Sequence, residues 1–232
     1  MGLMIKLPKP ISKLIPNGVL MGEVMLIEGD SSTGMDLIAL NLIINLSNNK
    51  VVYVEFGDRV NLKLGVLLKL AEKSEVFSGL VEKIKSNTVI IRFSNFHIEF
   101  EGFNIENLPF KELETSISKF YGFVRENDLS DALFIFSGFE EAILRWDVYE
   151  LLRQIASLKT AFSDATFLMF VDVRSLEPSI LSLLEGLSTT IVKLKSNIDE
   201  EKIVRRAYLI KSLHSTVSES VEYSLDELLK ID

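Results

Sequence analysis

Gly29 and Gly34 stand four residues apart and enclose Asp30, Ser31, Ser32 and Thr33. Before them runs the apolar stretch Val24-Met-Leu-Ile-Glu28, and after them Leu37-Ile-Ala-Leu-Asn-Leu-Ile-Ile-Asn45. A strand, a glycine-bounded loop and a buried helix make the frame of a phosphate-binding loop, in which backbone N–H groups and a helix N-terminus face an anion. The full chemistry requires G-x-x-x-x-G-K-[ST], a lysine for the β- and γ-phosphates and a hydroxyl for Mg²⁺. This chain has Met35 and Asp36 at those two positions.

What remains is a candidate residual anion site of Gly29, Ser31, Ser32, Thr33 and Gly34. The same residues are good turn formers, and the expectation is a loop kept for its geometry. A unit charge pair at ~4 Å with an effective dielectric of ~20 is worth about 4 kcal/mol. Each ~1.4 kcal/mol is tenfold in affinity, so losing the lysine and adding a carboxylate turns micromolar triphosphate binding into millimolar or none. ATP is thus disfavoured as a ligand, and no cofactor is expected. Asp36 has two readings, direct ligation of a cation or a first-turn carboxylate favoured by the helix dipole by roughly 0.3–1 kcal/mol. The second is simpler and partly fills the anion site from within.

Other chemistry is sparse. There is no cysteine, and the two histidines, His97 and His214, lie far apart, so no zinc set and no metal site is expected. No Ser-His-Asp or Cys-His arrangement is present. The cluster Asp199-Glu-Glu-Lys-Ile-Val-Arg-Arg206 reads as a hairpin turn with solvated charges, although Arg205 and Arg206 are placed to touch a partner. Phe96, Phe100 and Phe103 read mainly as packing residues.

With 232 residues, 47% hydrophobic and 25% charged, the chain reads as one domain over 1–232. A net charge of -8 argues against a broad phosphate-backbone footprint, so nucleic acid is an unlikely partner. The N-terminal stretch lacks a signal-peptide pattern and no window approaches a membrane span, which predicts a cytoplasmic protein with no membrane partner.

Residues 1–22, with three of the five prolines and the turn Pro16-Asn-Gly18, read as a lead-in packed on the surface of the core. Strands are expected at Val24–Glu28, Val51–Phe56, Thr88–Phe93, Ala132–Phe136 and Thr166–Val171. Their continuous apolar character suits parallel strands covered on both faces. Helices are expected at Leu37–Asn45 (closed by Asn48-Asn-Lys50), Asn61–Leu70, Lys111–Arg125, Pro178–Gly186 and, as one long element, from 137 to Leu158. Ser94–Pro109 reads as a loop. From 189 onward, Thr190–Lys195, Arg205–Lys211 and Ser218–Tyr223 alternate with period 2 and predict antiparallel hairpins followed by a tail.

Taken together these stretches resemble the RecA superfamily, and within it the archaeal KaiC-like and RadA-paralogue proteins. Asn17-Gly-Val-Leu-Met-Gly-Glu-Val-Met-Leu-Ile-Glu-Gly29 is similar to that family's entry into its first core strand. Val51-Val-Tyr-Val-Glu-Phe-Gly-Asp58 is similar to its second strand, which normally ends in paired acidic residues. Arg206-Ala-Tyr-Leu-Ile-Lys-Ser-Leu-His-Ser215 resembles its late hairpin, where a Lys-x-Arg step reaches a neighbouring subunit's nucleotide. The resemblance implies an α/β RecA-like three-layer sandwich with a mostly parallel central sheet and an antiparallel C-terminal hairpin extension. It also marks the departures. The third core strand, Leu133-Phe-Ile-Phe-Ser-Gly138, lacks the acidic residue expected near Mg²⁺. Only Asp58 remains of the acidic pair and reads as a solvated loop acid, while Lys211 matches but Leu213 stands at the arginine position.

These losses predict a pseudo-ATPase that does not hydrolyse ATP and acts as a regulatory or scaffold protein. Its expected partners are proteins, itself or an active RecA-family relative. The alternatives are a protein holding ATP as a structural or weakly hydrolysed ligand, and a DNA-associated member of the recombinase group. The pI of about 5.0 speaks against the last.

Overall fold

The computed structural model describes residues 4–46, 50–199, 202–213 and 220–228. The predicted helix-closing residues Asn48 and Asn49, together with His214 and Ser218, lie outside them. A small antiparallel pair, β1 (Met4–Ile5) with β2 (Val19–Leu20), brackets the short helix α1 (Ile11–Leu14). This lead-in is more deeply built in than a surface segment, since Ile11 has no exposed area and Ile5, Leu7, Leu14, Ile15 and Val19 are buried beside it.

One nine-stranded sheet carries the rest. β3 (Val24–Gly29) leads through a single 3₁₀ turn, Ser31–Thr33, into α2 (Met35–Asn45). β4 (Val51–Phe56) is followed by α3 (Arg59–Ala71), α4 (Glu75–Asn87) and β5 (Thr88–Phe93). Then come β6 (Asn104–Leu108), α5 (Leu113–Glu126), β7 (Leu133–Ser137), α6 (Phe139–Arg145), α7 (Val148–Ala161) and β8 (Thr166–Asp172). Helix α8 (Pro178–Leu187) precedes β9 (Thr190–Asp199), β10 (Lys202–Lys211), β11 (Ser220–Tyr223) and the short α9 (Leu225–Leu228).

The strand order is β11-β10-β9-β3-β8-β7-β4-β5-β6. Every pairing from β9 through β6 is parallel, while β9–β10 and β10–β11 are antiparallel. The expected three layers and C-terminal antiparallel extension are present. Helices α2, α3 and α4 pack with the lead-in on one face. The other face carries α5 to α8 on an aromatic cluster in which Phe56, Phe93, Phe110 and Trp146 meet edge-on or stacked. Along β4 the faces alternate with period 2, so Val52, Val54 and Phe56 enter the aromatic side while Tyr53 and Glu55 point at α3.

Two local expectations are corrected, and helix α4 occupies residues for which no element was expected. The edge strand β6 lies within the stretch read as a loop. The single long helix from 137 is two helices, because the chain breaks at Trp146 and Asp147, where the Asp147 carboxylate caps the second by accepting from the Glu150 N–H at 2.9 Å.

Because β8 and β7 lie between β3 and β4, the chain crosses over two strands after the first helix. The glycine loop sits at the carboxyl end of β3 beside this reversal, the place where open α/β sheets bind ligands.

Candidate functional site

The loop has the shape the glycines predict. Gly34 adopts φ 79° and ψ 29°, a left-handed conformation that lets the 3₁₀ turn feed directly into α2. At Gly29 a Cβ would lie 2.8 Å from Thr33 Oγ1 and 3.1 Å from Met35 Sδ, so the strand end must approach the loop without a side chain.

The hydroxyls of the loop are committed within the chain. Ser31 Oγ accepts from Arg174 Nη2 at 2.7 Å, and that guanidinium also pairs with Asp172 at the end of β8. Ser32 bonds the Asp30 carboxylate through its hydroxyl, and its N–H donates to the same carboxylate at 2.7 Å. That hydrogen bonding holds Asp30 below the usual carboxylate range. The Ser32 hydroxyl also meets Ser196 of β9, while Thr33 Oγ1 donates to Asp30 O at 2.6 Å. Tyr223 of β11 donates to Thr33 O at 2.8 Å, and Leu225 of α9 reaches over Gly34. Gly29, Ser31, Ser32, Thr33 and Gly34 thus lie together in one loop.

The cleft in front of the loop has a volume of about 360 Å³ and is lined by Met35, Asp36, Arg59, Ser137, Asp172 and Arg205 among others. Arg59 is paired with Glu140. Arg205 lies within β10, not in a solvated turn, and its Nε donates to Ser32 O at 2.9 Å, with no ion pair among the described residues. Arg206 is paired across the hairpin with Glu222.

Asp36 heads α2 as its first-turn acid, but its carboxylate is turned to a partner the sequence did not announce. Lys63 of α3 brings its Nζ to 3.0 Å from Asp36 Oδ1, 3.1 Å from Glu55 Oε2, 2.9 Å from Tyr53 Oη and 3.4 Å from Ser137 Oγ. Glu55 has no exposed surface, and burial pushes its carboxyl up against the pull of Lys63. Burial works against the Lys63 charge too, but Tyr53, Glu55 and Asp36 outweigh it and hold the ammonium above its ordinary pKa.

Asp58 is exposed but not a freely solvated acid. The guanidinium of Arg92, which has no exposed surface, pairs with Asp58 and also donates to Phe96 O at 2.9 Å and Asn107 Oδ1 at 3.0 Å. Ser94 Oγ adds a further bond to Asp58. Lys211 is spent as well, donating to Ser188 O at 2.6 Å, where it closes the C-terminus of α8. His97 pairs with Glu99 on the surface. Among the described residues no group of three His, Asp or Glu side chains is placed to hold a metal ion, and no helix is long and apolar enough to cross a membrane.

A magnesium–triphosphate does not fit these residues. The lysine position is a thioether, the third-strand position is the Ser137 hydroxyl, and Asp58, just past the second strand, faces a buried guanidinium.

Comparison with known proteins supports the architecture. No protein-family model matches the chain, and no curated protein matches it. Among solved structures the chain is similar to a KaiC-like protein of the hyperthermophilic archaeon Pyrococcus horikoshii, with a TM-score of 0.67 over 97% of this chain and 94% of that one, at 14% identity. This likeness establishes a RecA/KaiC-like fold.

Proposed function

We propose that this chain is a pseudo-ATPase, a RecA/KaiC-like domain that has given up nucleotide hydrolysis and serves as a regulatory or scaffold protein. The observation that carries the reading is that groups at the positions for catalysis have other employment. Asp58 is paired with Arg92, Lys211 closes α8, and Ser31 and Ser32 are bonded to Arg174, Asp30 and Ser196. Met35 and Ser137 carry no charge with which to replace them.

The surface supports a role through protein contacts. Leu62, Val66 and Leu70 recur at four-residue spacing along α3 and are 73%, 50% and 39% exposed. Such a stripe on a helix is suited to a protein partner, a second copy or an active relative of the same fold.

A second reading keeps ATP as a structural ligand. It is favoured by Arg205, whose guanidinium lines the cleft without a carboxylate partner among the described residues. A thermal-shift titration with ATP and ADP, with and without Mg²⁺, separates the two, because a ligand of the native state raises the melting temperature by mass action. No movement at millimolar nucleotide, with no phosphate release, is expected. A rise of several degrees overturns the first reading.

A further inference from the structure

We propose that the Lys63 ammonium is a tethered replacement for the divalent ion that a phosphate-loop fold otherwise recruits, so that the top of this sheet is neutralised from within. The inference rests on the pseudo-ATPase reading and identifies the device that makes it structurally stable.

In loops of this kind the metal is held by the residue after the lysine and by a carboxylate on a nearby core strand. Here those places belong to Asp36, in the first turn of α2, and Ser137, at the end of β7 two strands from β3. A single atom bridges them, Lys63 Nζ, at 3.0 Å from Asp36 Oδ1 and 3.4 Å from Ser137 Oγ. From below it is also held by Glu55 Oε2 and Tyr53 Oη at 3.1 and 2.9 Å. Three separate elements, α2, β4 and β7, thus turn oxygens onto one cation supplied by a fourth.

The distances are those of an ammonium. Mg²⁺ takes its oxygens at about 2.0–2.1 Å in a near-octahedral shell, so it cannot enter without expelling Nζ. A cation here has a clear use, because a fully buried Glu55 carboxylate is costly when ionised and unpaired. An ammonium supplies one charge and three donors, independent of the metal concentration around the protein. Glu55 Oε1 has no hydrogen-bond partner among the described residues, so one buried carboxylate oxygen is left unused by the single-charged substitute.

The test is the full chain carrying Lys63→Gln, which keeps amide donors near Glu55 and Tyr53 but removes the charge. In metal-free buffer its melting temperature should fall by about 5–10 °C. Millimolar Mn²⁺ should recover most of that loss, with one bound ion per chain by electron paramagnetic resonance, and Asp36→Asn added to Lys63→Gln should abolish the binding. Wild type should be indifferent to Mn²⁺ and to EDTA. The proposal is overturned if wild type binds Mn²⁺ at this place as tightly as the variant, or if the variant binds none. Should Lys63→Gln fail to fold without metal, refolding in Mn²⁺ decides: recovery supports the proposal and failure overturns it. A wild-type shift by ATP without Mg²⁺ sinks the pseudo-ATPase reading alone, whereas one that requires Mg²⁺ sinks both.

Discussion

Lys193 Nζ stands 3.2 Å from Glu28 Oε2, joining the penultimate residue of β3 to the adjacent strand β9, and 2.9 Å from Glu185 Oε1 of α8. Glu28 is only 2% exposed, and burial pushes its carboxyl up to about 7 in spite of Lys193. A carboxyl with a raised folded pKa holds its proton more tightly in the native state than in the unfolded chain. Its contribution is therefore favourable in acid and is lost as pH rises from about 4.5 to about 7. The loss is on the order of 3–4 kcal/mol at most. Glu185 behaves oppositely: hydrogen bonding to Lys193 lowers its pKa, so its contribution is present above the ordinary carboxylate range and lost on acidification. The Glu28→Gln variant should flatten the fall in melting temperature between pH 5 and 8 while leaving the acid limb intact. An unchanged slope would show that Glu28 does not titrate in this window.

The Arg92–Asp58 pair is asymmetric, with a fully buried guanidinium facing a carboxylate that is 48% exposed. Breaking such a pair from the exposed side still strands the buried charge, which usually costs about 3–5 kcal/mol, less here because water reaches Asp58. Asp58→Asn should lower stability by about 2–3 kcal/mol in urea unfolding, and Arg92→Met by a similar amount through loss of the bonds to Phe96 O and Asn107. Stability within about 0.5 kcal/mol of wild type for Asp58→Asn would mean that solvent already screens the pair.

At Gly34 two penalties coincide. The left-handed φ of 79° costs a residue with a Cβ about 1–2 kcal/mol, and the added carbon would lie 2.6 Å from Leu225 Cδ2. Gly34→Ala should destabilise by about 1–3 kcal/mol. In a double-mutant cycle, Leu225→Ala should relieve only the overlap, leaving the backbone part. Full recovery would place the whole cost in the packing of α9 over the loop.

The core strands were readable because each is a short apolar run buried on both faces, and β4 and β5 begin and end where their composition says. Helix α4 was missed although Leu80, Val81 and Ile84 carry a helical period, because no glycine or proline separates it from β5. Among the described residues strand β6 pairs only with β5, at the sheet edge, so its alternating polar residues resemble a loop. The glycine loop was legible through its spacing, and its losses through the residues at 35, 36 and 137. Lys63 was not. It lies in a leucine-rich helix whose lysines look like an ordinary solvated face, and its four oxygen partners come from sequence positions 36, 53, 55 and 137. Only the sheet order brings them to one point.

Restoring the loop alone should restore binding but not chemistry. Met35→Lys with Asp36→Ser returns a cation to the phosphate end of the cleft and removes a carboxylate, a change worth several kcal/mol by the charge argument, or at least tenfold in affinity. Lys63 keeps Glu55, Tyr53 and Ser137 as partners in that variant. Ser137 still offers no carboxylate for a metal, and Asp58 still faces Arg92 instead of a water. The double variant is therefore expected to show a nucleotide-dependent rise in melting temperature with no phosphate release above the wild-type background. Multiple turnovers of ATP by this variant would mean that positions 35 and 36 were the sole lesion, and that neither the pairing of Asp58 with Arg92 nor that of Lys63 with Glu55 is a barrier to catalysis.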